Sequence, residues 1–227
     1  MLNRHEEALN LERLFNPSAI AICGASQNLE RIGGRPIKFS LEAGFKGKIY
    51  PVNPKYEQLG GLRCYKDIRE IDGDVDVAII ALPASAVKEE LQKCGEKGVP
   101  FAIIFSAGFA ELGEEGKKLQ QEIVATAKNH RIRILGPNCL GILNPYNGFM
   151  ATFSTFIDHG AFPKAGKVGL ASQSGALASY CMTLVRDRGI GISCWVTTGN
   201  ESDLDIADCI SYLAEDANTE VILGTLE

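Results

Sequence analysis

Between residues 19 and 138, short apolar segments alternate with longer segments whose apolar residues recur at helical spacing. The stretch DVDVAIIALP (74–83) holds an uninterrupted apolar run, whereas 114–131 places Leu119, Ile123 and Val124 on one helical face. Uninterrupted apolar runs are typical of strands in a parallel sheet that is covered on both faces. The pattern predicts strands over 19–23, 47–53, 74–83, 100–108 and 132–138, and helices over 35–45, 84–98 and 114–131.

A segment with glycines, prolines and aromatic residues (144–166) interrupts this alternation, which then restarts. The second part predicts strands over 166–172, 191–199 and 219–227 and helices over 175–189 and 202–216, the last opened by a Ser202 cap. The whole pattern predicts an α/β protein. We expect a Rossmann-like, doubly wound parallel-sheet domain over 1–145. A linker, or a loop packed across a domain seam, would follow over 146–165, and an incomplete open α/β domain over 166–227.

Composition and charge narrow the class of protein. With 227 residues, 45% hydrophobic, and a formal charge of −5 spread without a basic patch, the chain does not suggest a nucleic-acid partner. The N-terminal segment is charged and amphipathic, without a signal-peptide core, and no apolar run reaches membrane-spanning length. We therefore expect a cytoplasmic protein with no membrane partner.

The cysteine pattern also indicates a cytoplasmic protein. The seven cysteines are odd in number and widely spaced, and none forms a C-x-x-C pair, so we expect free thiols in a reducing compartment and no metal site. They are Cys23, Cys64, Cys94, Cys139, Cys181, Cys194 and Cys209.

A glycine turn follows the first predicted strand, in CGASQNLERIGGRP (23–36). Such a turn is the usual phosphate site of dinucleotide folds, but the G-x-G-x-x-G fingerprint is absent, with Ser26 and Leu29 at its second and third glycine positions. The second strand ends in YPVNPK, where an NAD site would carry an acidic residue; here Asn53 and Lys55 follow instead. A lysine suits a phosphate. The turn is therefore either a dinucleotide-like pocket altered toward a more anionic ligand or a structural turn beside a surface lysine.

Three further strand ends carry small residues: ALPAS (81–85), FSAGFAE (105–111) and RILGPNCLGILNP (133–145). Open α/β sheets bind ligands at the carboxyl ends of their strands, so small residues there leave room for a long ligand. The alternative is that they only permit tight turns. In the third stretch, Gly-Pro followed by Asn138 is either a plain strand-to-loop connection or a means of bringing N–H groups to an anion.

The stretch ASQSGALAS (171–179) joins a predicted strand to a helix, and its hydroxyls and glycine are suited to an anion cradle at the helix start. A nucleophile elbow, G-x-S-x-G, fails because Ser172 replaces the first glycine, and His159 is the only histidine in this half of the chain. A plain N-cap remains open. In TTGNESD (197–203), Asn200, Glu201 and Asp203 either bind a substrate or form a surface turn.

Seven motifs occur in a fixed order along the chain: GAS, YPVNPK, ALP, SAGFAE, GPNCLGI, SQSGALA and TTGNESD. In this set the chain resembles the α-subunit part of NDP-forming acyl-CoA synthetases. That family includes ADP-forming acetyl-CoA synthetase and, more distantly, the succinyl-CoA synthetase α chain. The resemblance covers nearly the whole chain. It implies a CoA-binding domain over 1–145 and the first part of a succinyl-CoA-synthetase-like, flavodoxin-like domain over 166–227.

The resemblance also implies site residues. The positions that match the CoA site are Gly24, Ser26, Lys55, Pro83, Ser106, Gly108 and Asn138. The positions that match the phosphate site are Asn138, Cys139, Ser174, Gly175 and Ala176, with Cys139 present as a small residue and not as a nucleophile.

The family reaction makes acyl-CoA, ADP and phosphate from an acid, CoA and ATP, through an acyl phosphate and a phosphohistidine. The resemblance implies that Glu227 positions this histidine, which would lie beyond the present sequence, because His5, His130 and His159 do not match the motif. ATP or ADP and Mg²⁺ would be handled by an ATP-grasp domain or partner subunit. We therefore expect this chain to bind CoA without turnover; its other ligand would be a small carboxylic acid, and a homo-oligomer is compatible.

Three other functions stay open at this point. The same two domains would suit a regulatory module that senses CoA or acyl-CoA in a protein acetyltransferase. An NADP-binding oxidoreductase domain is disfavoured by the missing glycines, although Lys55 permits it. A purely structural assembly domain would leave the strand-end motifs unexplained. The acyl group is not specified by any of these motifs.

Overall fold

A computed structural model describes residues 11–160 and 162–227. Residues 1–10 of the amphipathic N-terminal segment, with His5, lie outside the described residues. The helices are α1 (Glu12–Phe15), α2 (Arg35–Glu42), α3 (Ala84–Lys97), α4 (Glu114–Asn129), α5 (Gly175–Asp187) and α6 (Ile206–Glu215). The strands are β1 (Ala19–Cys23), β2 (Lys48–Val52), β3 (Gln58–Leu59), β4 (Leu62–Arg63), β5 (Val77–Ile80), β6 (Phe101–Ile104), β7 (Arg133–Leu135), β8 (Gly141–Asn144), β9 (Phe149–Thr152), β10 (Ala165–Ser172), β11 (Ile192–Thr197) and β12 (Val221–Thr225).

The first sheet is parallel throughout and has the order β2-β1-β5-β6-β7. Every residue of β1, β5 and β6 is buried, as the uninterrupted apolar runs predicted. The chain leaves β1 toward β2 on one side and returns toward β5 on the other, so the order reverses at β1. In open α/β sheets such a reversal opens a crevice at the carboxyl ends of the strands. The predicted doubly wound fold is confirmed.

The second sheet is mixed and has the order β12-β10-β11-β8-β9. Its strands β10, β11 and β12 are parallel, and the order reverses at β10, which lies between the other two. The hairpin β8–β9 joins antiparallel to β11. The predicted linker over 146–165 therefore differs from the structure: it holds β9 and a short 3₁₀ helix (155–160), because its apolar residues Phe149 to Thr152 are buried in a sheet.

The structure adds a hairpin that the sequence pattern did not predict, and it corrects the predicted cap of helix α6. The hairpin β3–β4 turns at Gly60 and Gly61, which both have positive φ (59° and 80°), the two-residue turn that Gly-Gly favours. Helix α6 is capped by Asp205 and not by Ser202; the Asp205 side chain accepts from the N–H of Asp208, whose side chain accepts from the N–H of Asp205. A reciprocal capping box satisfies two helix-end donors, which a serine three residues earlier cannot do.

One hydrophobic cluster runs through both sheets. It includes Phe105 and Leu135 beside the first sheet and Val196 in the second. The ring of Phe15 stacks on Tyr212 of α6 with 4.2 Å between the ring centroids. The two sheets therefore share a core, and the strand ends of both face a common seam. Among the described residues, no helix is both long and apolar enough to cross a membrane.

Candidate functional site

A cleft of about 680 Å³ opens at the carboxyl ends of β1, β2 and β5, where the strand order of the first sheet reverses. Four of the predicted CoA positions line it: Gly24, Ser26, Lys55 and Pro83. Its walls also include Arg31, which the sequence analysis did not single out. The cleft is therefore built from residues that are far apart in sequence and meet at the reversal of the sheet.

The turn after β1 needs its glycine. Gly24 has a φ of +86°, and a Cβ placed on it would lie 2.6 Å from the carbonyl oxygen of Ala81. Its N–H donates to the carbonyl of Val52 at 3.1 Å. Only glycine fits a left-handed backbone this close to a neighbouring carbonyl, so the turn can pass beside β5 and leave the cleft open.

Asn53 occupies the strand-2 position where an NAD site would carry a carboxylate. Its Nδ2 donates to the carbonyl of Ala25 at 2.7 Å, and its Oδ1 accepts from the N–H of Lys55 at 3.0 Å. The asparagine thus fixes the glycine turn to the end of β2. It leaves the exposed Lys55 as the group at this strand end that suits an anion.

The cleft carries positive charge on its rim. Lys55 and Arg31 are exposed, and neither forms an ion pair with another described residue. Glu30 also lines the cleft, and it pairs with Lys38 at 2.5 Å. Free guanidinium and ammonium groups beside a glycine turn provide donors for phosphate oxygens.

The other predicted CoA residues lie at the next strand ends, outside the lining of this cleft. Ser106 Oγ donates to the carbonyl of Leu82 at 2.5 Å, and the Ser106 carbonyl accepts from the N–H of Asn138 at 2.9 Å. The N–H of Gly108 is bound to the Glu111 carboxylate at 2.5 Å. The seven predicted positions therefore form two neighbouring groups along one edge of the sheet.

Three connections meet where the two sheets face each other: 136–140 after β7, 172–175 from the end of β10 to the start of α5, and 198–202 after β11. We call this the three-loop junction. Gly199 has a φ of +60°, and a Cβ on it would lie 2.4 Å from the carbonyl oxygen of Pro137. Asn200 N–H donates to that same carbonyl at 2.9 Å, and Gly199 N–H to the carbonyl of Gln173 at 3.3 Å. The junction holds the loops of both sheets together through their main chains.

Helix α5 begins at this junction. Ser174 is its N-cap, and its Oγ accepts from the N–H of Leu177 at 3.3 Å. The N–H groups of Gly175 and Ala176 belong to the first helical turn, which has no intrahelical acceptor, and none of the hydrogen bonds among the described residues involves them. A Cβ on Gly175 would lie 2.7 Å from Leu140 Cγ, so glycine allows the loop after β7 to pack against the helix start. These N–H groups and the helix dipole suit an anion.

Asn138 and Cys139 occupy different environments at the three-loop junction. Asn138 is exposed with a φ of +58°, and since its N–H is bound to Ser106, only its side chain is free to face a ligand. Its Nδ2 lies 3.3 Å from Asn200 Oδ1. Cys139 is buried, its Sγ lies 3.5 Å from the carbonyl of Ile104, and burial raises the pKa of its thiol to about 12. A protonated, buried thiol is not a nucleophile.

Glu227 ends the chain beside the same junction. Its N–H donates to Gln173 Oε1 at 2.6 Å, and the Gln173 Nε2 donates to Glu201 at 2.8 Å. The Glu227 residue itself is exposed. Of the three residues singled out in TTGNESD, Glu201 also accepts from Thr198 Oγ1 at 2.7 Å, and Asp203 binds Arg133 Nε at 2.8 Å. Glu201 and Asp203 therefore hold the loops in place.

Glu111 and Asn200 join the segment after β6 to the three-loop junction, a link that sequence reasoning missed. Asn200 Nδ2 donates to Glu111 Oε2 at 2.5 Å, and Glu111 also accepts from the N–H groups of Gly108 and Phe109. Partial burial would raise the pKa of Glu111, but these hydrogen bonds outweigh it and hold that pKa below its usual value. The motif SAGFAE contains Glu111, yet its partner Asn200 is 89 residues away.

A doubly wound sheet with a glycine turn and basic residues at its switch point defines a domain of the nucleotide-binding type. Residues 18–145, more than half of the chain, match the family model described as CoA binding domain. The chain therefore belongs to this family. Residues 165–227 match the succinyl-CoA ligase like flavodoxin domain. The family resemblance inferred from the seven motifs is confirmed.

Individual relatives with high sequence and structural similarity support the family assignment. The chain is 42% identical over 217 residues to the alpha subunit of ADP-forming acetate–CoA ligase II from Pyrococcus furiosus, a match that covers 96% of this chain and 46% of the relative. It is similar in structure to acetyl-coenzyme A synthetase 1 of Ca. Korarchaeum cryptofilum in its apo form, with a TM-score of 0.90, 41% identity, and coverage of 96% and 46%. That synthetase has also been solved with phosphate and ADP. The chain thus spans less than half the length of these relatives.

Proposed function

We propose that this chain is the CoA-binding portion of an ADP-forming acyl-CoA synthetase, which converts an acid, CoA and ATP to acyl-CoA, ADP and phosphate. The observation that carries the proposal is the pairing of two anion-compatible sites across one seam. One is the cleft at the switch point of the first sheet, with Lys55 and Arg31; the other is the start of α5 at the switch point of the second.

The cleft suits the nucleotide end of CoA. CoA carries a phosphorylated ribose and a diphosphate, followed by a long, thin, uncharged arm that ends in a thiol. Lys55 and Arg31 would bind the phosphates, and Gly24 and Ser26 would line the turn beside them. The arm would then follow the strand ends past Pro83, Ser106 and Gly108 and bring the thiol toward Asn138.

The start of α5 suits the phosphoryl group. The N–H groups of Ser174, Gly175 and Ala176 and the side-chain amide of Asn138 would receive it, with the main chain of Cys139 beside them. A histidine suits phosphoryl relay because its ring nitrogen is nucleophilic near neutral pH. Glu227 would hold that histidine; among the described residues, His130 instead lies at the end of α4, against Gly95.

The division of labour within the protein is part of the proposal. Residues 1–145 would bind CoA, 166–227 would begin the flavodoxin-like domain, and 146–165, which holds strand β9 of the second sheet, would join the two parts. ATP or ADP with Mg²⁺ would bind to an ATP-grasp domain or partner subunit, and the acid would be a small carboxylic acid. We place the protein in the cytoplasm, since all seven cysteines are free thiols, which a reducing compartment maintains.

Calorimetric titration of the 227-residue chain with CoA, with NADP as the control ligand, tests the CoA site. We expect saturable binding of CoA that Lys55→Ala weakens, and no comparable binding of NADP. Lys117→Ala, which removes an exposed lysine on α4, is the matched control and should leave CoA affinity unchanged. Binding of NADP in place of CoA, or no binding of either, would contradict the proposal.

A second assay separates binding from turnover. The same chain, supplied with acetate, CoA, ATP and Mg²⁺, should form no acyl-CoA, while it still binds CoA. Formation of acyl-CoA by this chain alone would show that the phosphoryl relay is complete within it and would overturn the proposed division of labour. Binding without turnover by the full-length protein, with its ATP-grasp domain or partner subunit present, would instead favour a CoA-sensing role.

A further inference from the structure

Cys23, Glu90 and Cys94 meet in a buried cluster beneath the cleft. Cys23 ends β1, whereas Glu90 and Cys94 lie four residues apart on α3, so both helix residues present their side chains on one face. The two Sγ atoms and a carboxylate oxygen all lie within 4.8 Å of one another, and all three residues are buried.

Although the cysteine spacing predicted no metal site, we propose that this cluster binds one zinc-like divalent cation. Thiolate and carboxylate oxygen are both zinc ligands, and two thiolates in one set favour zinc over magnesium or calcium. Ligand atoms around a tetrahedral zinc are separated by less than about 4 Å, given its Zn–S and Zn–O distances of about 2.3 and 2.1 Å. The three donors are thus close enough to converge on one ion after side-chain movements of an ångström or less.

Burial separates this cluster from a chance group of surface acids. The two cysteines have no exposed surface, and Glu90 is 8% exposed. A carboxylate in such a place is stabilised by a compensating positive charge. Lys93 Nζ supplies part of it at 3.5 Å from Glu90 Oε2, but it lies closer, at 2.8 Å, to the exposed Glu89. A cation held by Cys23, Glu90 and Cys94 would compensate the carboxylate directly.

The position of the cluster links it to the cleft. Cys23 directly precedes Gly24, and α3 begins directly after Pro83, and both of these neighbours line the cleft. A cation joining β1 to α3 would therefore fix two walls of the cleft from below. A ligand that binds only the folded chain also stabilises it, so the melting temperature should rise with cation concentration.

Cobalt(II) is the probe, because it occupies zinc sites and reports thiolate ligands through its absorption spectrum. Chain freed of metal with a chelator and kept reduced should bind one equivalent of Co²⁺, with a thiolate-to-cobalt charge-transfer band, and Zn²⁺ should displace it. Cys94→Ser and Glu90→Gln should each weaken binding at least tenfold. Cys181→Ser is the matched control, since Cys181 is a partly exposed thiol outside the cluster.

Three results would overturn the site. They are the absence of the charge-transfer band in the unaltered chain, a band of unchanged intensity and unchanged Co²⁺ affinity in Cys94→Ser, and a band that disappears in Cys181→Ser. Circular dichroism and CoA titration of each variant establish that it is folded. If a variant does not fold, X-ray absorption of the unaltered cobalt-loaded chain decides, because the site requires two sulfur ligands and at least one oxygen.

Discussion

The cleft of the first sheet and the three-loop junction lie at equivalent places, the reversal of strand order in each sheet, yet they are built from different donors. The cleft presents the charged side chains of Lys55 and Arg31 around a glycine turn. The junction presents main-chain N–H groups at the start of α5, with the amide side chains of Asn138 and Asn200 close by.

This difference has physical consequences. Exposed cationic side chains attract phosphates over several ångströms, and salt screens that attraction. Main-chain donors act only on a group that is already in place, and they depend on how tightly their loops are packed. We therefore expect ligand binding in the cleft to weaken gradually as cationic side chains are removed or salt is added. At the junction, we expect a single change in backbone geometry to have a large effect.

The largest expected effect is at the junction. Gly199→Ala would place a Cβ 2.4 Å from Pro137 O on a backbone with a φ of +60°. The overlap is with main chain, which cannot move aside, so we expect the free energy of unfolding to fall by roughly 3 kcal/mol in urea denaturation. Gly189→Ala is the control: its φ is +70° but nothing lies within 4 Å, so about 1 kcal/mol is expected. Equal losses in the two variants would refute the tight junction.

Single substitutions in the cleft should have a smaller effect, measured as CoA affinity. Arg31→Ala and Lys55→Ala should each raise the Kd for CoA by roughly three- to tenfold at low salt, because each removes one exposed cation from a phosphate. In the unaltered chain, CoA affinity should fall as salt rises, and the slope should be smaller in each variant. Titration calorimetry at two salt concentrations measures both effects. A variant with unchanged affinity and unchanged salt dependence would place that side chain outside the CoA site.

The contact between the segment after β6 and the three-loop junction should depend on pH. The pKa of Glu111 is lowered from 4.5 in the folded chain, so its contribution to stability is fully present above pH 4.5 and is lost as pH falls through the lowered value. Glu111→Gln should therefore cost about 0.5 kcal/mol at pH 7, a small effect because the group is largely solvated, and less at pH 3. Urea denaturation at both pH values checks this, with the exposed Glu57→Gln as control. A loss of unfolding free energy in Glu111→Gln that is larger at pH 3 than at pH 7 would contradict the predicted direction of the pKa shift.

The smallest expected effect is at Cys139. Because its thiol is buried and its pKa is raised to about 12, iodoacetamide should leave it unmodified in the folded chain at pH 8. The partly exposed Cys181 provides the internal comparison and should react first. Mass spectrometry of the labelled peptides distinguishes them. Native-state labelling of Cys139 at the rate of Cys181 would show that the junction opens far more often than its packing implies.

The two regions also differ in how well their sequences predicted them. The turn after β1, the strand β1 itself and Lys55 after β2 follow from local patterns, since apolar runs and glycine positions act over a few residues. The hairpin β8–β9 did not follow, because its apolar residues lie among glycines and prolines and their burial depends on β11, about 50 residues further on. The Ser202 cap was wrong for a related reason: Ser202 Oγ donates to the carbonyl of Gly136 in the other domain and is not available to α6.

By itself, the sequence determined the α/β class, the parallel strands of both parts and the family, because periodicity, turn chemistry and ordered motifs are encoded within short windows. Only the tertiary structure decided which strand ends become neighbours. It placed Arg31 in the same cleft as Lys55, joined Glu111 to Asn200, and brought Cys23 to Glu90 and Cys94. Each of these juxtapositions depends on the order of strands in a sheet and on the packing of one element against another. Those are long-range properties that residue spacing along the chain does not contain.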